Sequence, residues 1–159
     1  NGKTVLISDY FEYYRLAAYL SQHSKRKIGI VMGAASLSEL FDEKYYADLE
    51  GGILESFGRL FKNDLSLYIY PFRKAGEERL TTVESLEVAP ALRKLYGYLV
   101  DKGVIQPLDN PNESCLSIFS RDVLKKIKSS DPSWEAAVPP EVAELIKRKG
   151  YFGFKKPMR

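Results

Sequence analysis

The sequence predicts an α/β fold in which a doubly wound parallel sheet carries helices on both faces, giving three layers. Short apolar runs are typical of buried strands, and other segments repeat apolar residues at helical spacing. These segments alternate along the chain as β-α-β-α-α-β-α-β-α-α, and strands separated by helices pair in parallel through crossovers. We interpret residues 1–159 as a single domain, with 120–159 as a basic helical tail.

The first half of the chain supplies three of the predicted strands. Segment 4–7 is apolar and β-branched, which indicates a buried strand and places Val5 in the sheet. Ser36 lies three residues before Glu39, and this capping box predicts the start of a helix. In chain order the elements are a strand at 4–7, a helix at 10–22, a strand at 28–32, helices beginning near Ser36 and near Ile53, and a strand at 65–72.

The second half is predicted to be mainly helical. Gly103 and Gly150 are placed to end helices, and Ser120 is placed to cap one. In chain order the elements are a polar loop at 73–85, a helix opened by Pro90, a strand at 104–108, an extended piece at 116–119, a helix at 120–128 and a last helix opened by Pro139 and Pro140.

The composition excludes several classes of protein. With 45% hydrophobic residues, 11 tyrosines and 8 phenylalanines, the chain is not intrinsically disordered. A single cysteine and a single histidine exclude an internal disulfide, a cysteine-based metal cluster and Cys–His hydrolase chemistry. No apolar run reaches the length of a membrane span. We expect no metal site and no catalytic residue.

Candidate binding residues follow three predicted strands, since ligands of such sheets bind beyond the carboxyl ends of the strands. Ser8-Asp9 marks the first end. At the second, Gly33, Ala34 and Ser36 offer close backbone approach and a helix start that favours an anion. At the third, Ser120 and Arg121 add a hydroxyl and a guanidinium. Gly33, Ala34, Ser36, Ser120 and Arg121 are the predicted nucleotide-binding set. We expect Gly33 and Ser120 to lie close together, because both are predicted to end neighbouring parallel strands.

A purely structural interpretation of the same residues stays open. In it, Gly33 makes a tight turn, Ser36 and Ser120 only cap helices, and Arg121 is solvated. His23 is interpreted as a helix-end residue and Cys115 as a core thiol. The tyrosines near the N-terminus favour core and interface packing over a stacking platform for bases, because no Lys or Arg interleaves them.

The basic residues are concentrated at the end of the chain. Residues 121–159 hold ten Lys and Arg against five Asp and Glu, whereas the whole chain carries only +3. This tail is a candidate contact surface for phosphate or an acidic partner, and the alternative is a solvated helical face. A chain that starts at Asn1 and is mildly basic fits a processed protein, or the C-terminal part of a longer one, in an organelle matrix such as the mitochondrial one.

Two segments resemble the nicotinate and nicotinamide mononucleotide adenylyltransferases. The stretch IFSRDVL at 118–124, followed by Val138-Pro139 and a helix ending at Gly150-Tyr151, is similar to that family's ISSTxIR motif and closing helix. The stretch MGAASL at 32–37 is similar to its MGADxL motif. The resemblance implies a Rossmann-like fold, ATP with Mg²⁺ or NAD as cofactor, and adenylyl transfer that joins ATP to a mononucleotide in NAD biosynthesis.

The departures from that family favour loss of catalysis. The GxFxPxHxGH signature is absent, Arg121 and Leu124 replace the threonine and final arginine of ISSTxIR, and Ala35 replaces an acidic residue. Without those histidines and that arginine, adenylyl transfer lacks its main transition-state stabilisers.

The leading hypothesis is therefore a degenerate nucleotidylyltransferase-like domain that serves as a structural or interaction subunit of a larger assembly. An active adenylyltransferase and a nucleotide-sensing or RNA-contacting module are the alternatives. We expect a soluble, intracellular protein whose partners are protein subunits and an adenine nucleotide, with no membrane span; nucleic acid is the least expected partner.

Overall fold

The computed structural model describes residues 4–73, 79–109 and 111–155, and it confirms a mixed α/β chain. Contacts between residues divide the chain into an N-terminal unit, residues 1–111, and a C-terminal unit, residues 112–159. The strands are β1 (Ile28–Gly33), β2 (Leu65–Tyr70), β3 (Phe72–Arg73), β4 (Leu80–Thr81) and β5 (Ile105–Pro107). The helices are α1 (Tyr13–His23), α2 (Ala34–Leu40), α3 (Gly52–Leu60), α4 (Arg93–Asp101), α5 (Ser120–Lys128) and α6 (Pro140–Lys149). The interpretation of 1–159 as one domain stays a prediction.

A three-stranded parallel sheet in the order β1-β2-β5 organises the N-terminal unit. β1 and β2 pair in register from Ile28 opposite Leu65 to Gly33 opposite Tyr70, and β2 pairs with β5 on its other side. Helices connect these strands, as parallel pairing requires. A parallel sheet is predicted with Val5, Ile30 and Ile69 on three strands, and it is confirmed in part, since Ile30 and Ile69 lie on two parallel strands.

The buried face of this sheet is the core of the N-terminal unit. Leu67 of the central strand is fully buried, and Met32 and Ile105 flank it on the outer strands. They belong to one apolar cluster with side chains of α1, α2, α3 and α4. On the opposite face Val31 is 59% exposed and the Tyr70 ring is 43% exposed.

The strand predicted at 4–7 is wrong. Residues 4–11 form no helix or strand, and Val5 is 81% exposed and Ile7 93% exposed. β1 pairs only with β2 among the residues described. A β-branched run forms a strand only where another strand bonds to it and a core covers it, and this run has neither.

The helical predictions were more accurate. α5 spans the predicted residues, and α4 and α6 differ from their predicted limits by at most a few residues. Gly103 and Gly150 follow their helices with positive φ angles of 72° and 66°, the left-handed conformation that glycine favours.

Three predictions outside the parallel sheet need correction. The part of 73–85 that the structure describes includes β4, which pairs antiparallel with β3, so it is not wholly a loop; residues 74–78 lie outside the described residues. The segment 116–119 is not a strand, and Cys115 is an exposed residue of a 3₁₀ turn rather than a core thiol. No strand occurs in the described part of the C-terminal unit.

The C-terminal unit has its own small core. Trp134 is 1% exposed and packs with Ile127, Ala143 and Ile146 of the two helices α5 and α6. The Phe154 ring meets the indole edge-on at 6.0 Å between centroids. Across both units, no helix in the described residues combines the length and apolarity needed to cross a membrane.

Candidate functional site

Gly33 ends β1 at the edge of the sheet where ligands of such folds bind. Its backbone is extended, with φ −76° and ψ 154°, so the tight-turn interpretation is wrong. The register partner of Gly33 is Tyr70, and a Cβ atom at Gly33 would lie 3.3 Å from the Tyr70 ring. The glycine therefore leaves room for this ring beside the strand end. Nucleotide binding at Gly33 stays a prediction.

The other two predicted residues of this strand end lie in α2. Ala34 is the first residue of the helix and is fully buried. Ser36 is the third residue of the helix, not its cap, because α2 already begins at Ala34 and no side chain caps it. The predicted capping box of Ser36 and Glu39 is therefore wrong.

Ser36 lines a small acidic pocket of about 140 Å³. Glu12 and Glu39 line it too, and none of the lining residues is a cation. The Tyr46 hydroxyl, also at this pocket, donates a hydrogen bond to the Leu40 carbonyl at 2.8 Å, and burial raises the pKa of Tyr46 to about 12. Two carboxylates repel phosphate, and the volume is below the usual range for small-molecule sites.

Ser120 and Arg121 belong to the C-terminal unit. They are the first two residues of α5, and both are exposed. Phe119 occupies the N-cap position and no side chain caps the helix, so the predicted cap at Ser120 is wrong. The basis for placing Ser120 at a strand end is also lost, because 116–119 is not a strand. Its proximity to Gly33 stays a prediction.

The single histidine, His23, comes before β1 in the sequence, whereas the predicted binding residues follow the carboxyl end of that strand. His23 is the last residue of α1, five residues before β1 begins, and its ring contacts the Tyr19 ring at 4.7 Å between centroids with a tilt of 57°. This agrees with its interpretation as a helix-end residue. Among the described residues, no group of three or more His, Cys, Asp or Glu is placed to hold a metal ion.

The largest cavity described in the N-terminal unit lies elsewhere, in what we call the tyrosine–arginine cleft. Its volume is about 580 Å³, and it runs between α1 and the segment formed by the end of α3 and the 3₁₀ turn Phe61–Asn63. The lining residues are Tyr10, Tyr14, Arg15, Ala18, Tyr19, Ser21, Gln22, Lys25, Arg59, Lys62 and Asn63. Four of these are cations and none is acidic.

The floor of the cleft is the buried ring of Tyr14. The guanidinium carbons of Arg15 and Arg59 lie 5.8 Å and 5.7 Å from the centre of this ring, within cation–π range. Arg15 Nε donates a hydrogen bond to the Tyr14 hydroxyl at 3.1 Å. This bond, with the nearby Glu12 carboxylate, raises the pKa of the Arg15 guanidinium.

Sequence reasoning missed this cleft because its cations come from two distant segments. The tyrosines of α1 were visible as a cluster, and Arg15 and Lys25 lie in or beside that helix. Arg59 and Lys62 come from some 40 residues further along, so they do not interleave the tyrosines in sequence. Packing of α1 against α3 brings them together.

Comparison with known proteins does not identify the chain. No protein-family model, no curated protein and no solved structure matches it.

Proposed function

We propose that this chain is a non-catalytic interaction domain that assembles with a second copy of itself, on a degenerate nucleotidylyltransferase-like fold. The observation that carries this proposal is the exposed apolar segment before α1. Ile7 is almost fully exposed, and Val5, Leu6 and Phe11 are exposed as well. Covering one such side chain contributes about 1.5–3 kcal/mol, so burial of several of them offsets much of the free-energy cost of association.

The partner that covers the apolar segment is a second copy of the chain, because each chain carries both the segment and a strand edge that can bind it. Segment 4–7 has strand-forming residues without a strand partner, and β1 pairs on one side only in the described part of the chain. An unpaired strand edge binds extended segments through its backbone groups. Two copies exchanging these segments would satisfy both surfaces in a closed two-fold assembly.

We also propose that the assembled protein has the three-layer, doubly wound sheet that the sequence predicts. A segment of the second copy that pairs with β1 would give the sheet a fourth strand. The exposed Val31 and Tyr70 mark the face on which the second helical layer would lie. Helices already cover the face that carries Met32 and Leu67.

Sedimentation velocity and light scattering test the assembly. We expect the wild type to be a dimer at micromolar concentration and the variant Val5→Ser/Ile7→Ser to be a monomer with the same circular dichroism spectrum. Leu54→Ser is the matched control, since Leu54 is an apolar residue of α3 that is 64% exposed. It should leave the dimer intact. A wild type that stays monomeric up to millimolar concentration contradicts the proposal.

A pyrophosphate-release assay tests the absence of catalysis. We expect no dinucleotide from ATP, Mg²⁺ and nicotinate or nicotinamide mononucleotide, because the family's histidine signature is missing and Leu124 replaces its arginine. Pyrophosphate release that depends on the mononucleotide would establish the enzyme instead.

A further inference from the structure

The charge of the tyrosine–arginine cleft indicates an anionic ligand. Arg15 is paired with Glu12 at 3.4 Å and Arg59 with Glu55 at 2.5 Å, and neither carboxylate belongs to a residue that lines the cleft. Lys25 and Lys62 make no ion pair within the described residues. Arg15 and Arg59 each share their charge with one carboxylate outside the cleft, and the two lysines leave the lining with a net positive charge. Phosphates are groups of matching charge.

The aromatic residues of the cleft indicate a ligand that also carries a flat ring. Tyr10 and Tyr19 are both partly exposed, and their rings are tilted by 45° with centroids 5.7 Å apart. The His23 ring supports Tyr19 from the helix end. Tyrosine faces of this kind stack with nucleobases without selecting among them.

The cleft is pre-organised to present its cations. Tyr14 is 6% exposed and its ring is fixed by the core, so the two guanidinium groups beside it are held in place before any ligand arrives. Glu12 and Glu55 hold the same two side chains from outside. Less side-chain freedom is then lost on binding.

The size of the cleft selects a small ligand. A volume of about 580 Å³ lies inside the range of about 300–1,000 Å³ that is typical of small-molecule sites.

The position of the cleft separates it from the strand end that the sequence singles out. Lys25 precedes β1, and Lys62 and Asn63 precede β2, so these residues lie near the amino ends of the strands. The cleft is therefore distinct from the strand end at Gly33.

We infer that the tyrosine–arginine cleft binds a free mononucleotide. Arg59, Lys62 and Lys25 hold its phosphates, and Tyr19 and Tyr10 stack with its base. This site is separate from the self-assembly surface proposed above, because Val5 and Ile7 do not line it.

Calorimetric titration of the chain with ADP, pyrophosphate and adenosine tests the inference. We expect ADP to bind more tightly than either fragment, because only ADP engages both the cations and the tyrosines. Lys62→Ala and Arg59→Ala should each weaken ADP binding about tenfold, the loss of one charge-assisted contact. Lys62 is exposed, so Lys62→Ala should leave the melting temperature unchanged.

Three further variants separate the parts of the site. Tyr19→Leu should weaken ADP binding about tenfold and leave pyrophosphate binding within twofold of wild type. Lys94→Ala, an exposed lysine of α4 outside the cleft, is the matched control and should change nothing. Arg121→Ala should also leave ADP binding unchanged.

Several outcomes overturn the inference. One is the absence of ADP binding at millimolar concentration, and another is ADP binding that Lys62→Ala does not weaken. A loss of binding in Arg121→Ala would move the site to the C-terminal unit. Binding of a single-stranded RNA many times tighter than ADP, and lost in Lys62→Ala, would make nucleic acid the ligand instead.

Discussion

The carboxyl end of β1 and the tyrosine–arginine cleft both combine a tyrosine with a feature typical of ligand sites. At β1 the Tyr70 ring lies against Gly33, and the nearby pocket at Ser36 is small and acidic. In the cleft the Tyr14 ring lies against two guanidinium groups in a much larger, basic cavity. The difference teaches that the glycine at this strand end makes room for a packed ring, whereas the cleft brings two ion-paired arginines together with two lysines that make no ion pair in the described residues.

The strongest way to sharpen this comparison is to remove each ring. Tyr14→Ala should lower the free energy of unfolding by about 3 kcal/mol, because the ring is buried among core residues. Tyr70→Ala should cost less than about 1.5 kcal/mol, since much of its ring is exposed. Urea denaturation followed by circular dichroism measures both. Equal losses would mean that the two rings have the same structural role.

Alkaline pH probes two phenol groups, that of Tyr46 at the pocket beside Ser36 and that of Tyr96 in α4. Burial raises the pKa of Tyr46 and of Tyr96 to about 12, from a usual value of 10.0, so the unfolded chain releases these protons first. Their contribution to stability is complete below pH 10 and is lost as the pH rises to about 12. We expect a loss of about 1–2 kcal/mol per tyrosine over this interval.

The variant Tyr46→Phe isolates one of these two groups. It should reduce the slope of unfolding free energy against pH between pH 10 and 12, measured by urea denaturation at each pH. It also removes the donor to the Leu40 carbonyl, which costs about 1 kcal/mol at neutral pH. An unchanged slope would contradict the role given to Tyr46.

A substitution at Gly33 tests the packing interpretation of the strand end directly. A Cβ atom there would lie 3.3 Å from the Tyr70 ring, so Gly33→Ala should destabilise the chain by less than about 1 kcal/mol while the ring shifts. In the Tyr70→Ala background the same change should cost nothing or stabilise slightly. A double-mutant cycle of unfolding free energies measures this coupling. Additive effects would show that Gly33 and Tyr70 are not coupled and would contradict the packing interpretation of this strand end.

The smallest expected effect concerns the carboxylate that holds Arg15. Glu12→Gln removes an exposed ion pair and should change the free energy of unfolding by less than about 0.5 kcal/mol. It should also weaken ADP binding by about twofold, because Glu12 no longer holds the Arg15 side chain in place. Unchanged or stronger ADP binding in this variant would show that Glu12 does not pre-organise the cleft.

Local sequence signals predicted the helices of this chain well. Glycines placed after apolar stripes end α4 and α6 in the left-handed conformation, which depends on the residue itself rather than on its neighbours in space. The strand at 65–70 was also predicted from a local signal, because its run of apolar side chains was sufficient to indicate a buried element. β1 was found likewise.

Prediction failed where an element needs a partner. Segment 4–7 has the residues of a buried strand but no strand beside it in the described chain, and 116–119 has an extended pattern but follows a 3₁₀ turn. Ser36 and Ser120 have the right chemistry for helix caps, yet each helix begins one or more residues earlier than a cap there requires. Pairing and helix starts depend on the whole fold.

By itself the sequence determined the mixed α/β class with parallel strands, the alternation of most strands and helices along the chain, and the ends of α4 and α6. Periodicity and glycine conformation act over a few residues. Only the tertiary structure decided that the Gly33 backbone is extended beneath Tyr70, and that Arg59 and Lys62 join the tyrosines of α1 in one cleft. Both depend on contacts between segments some 40 residues apart in the chain. The physical reason is that charge convergence and ring packing are properties of neighbours in space.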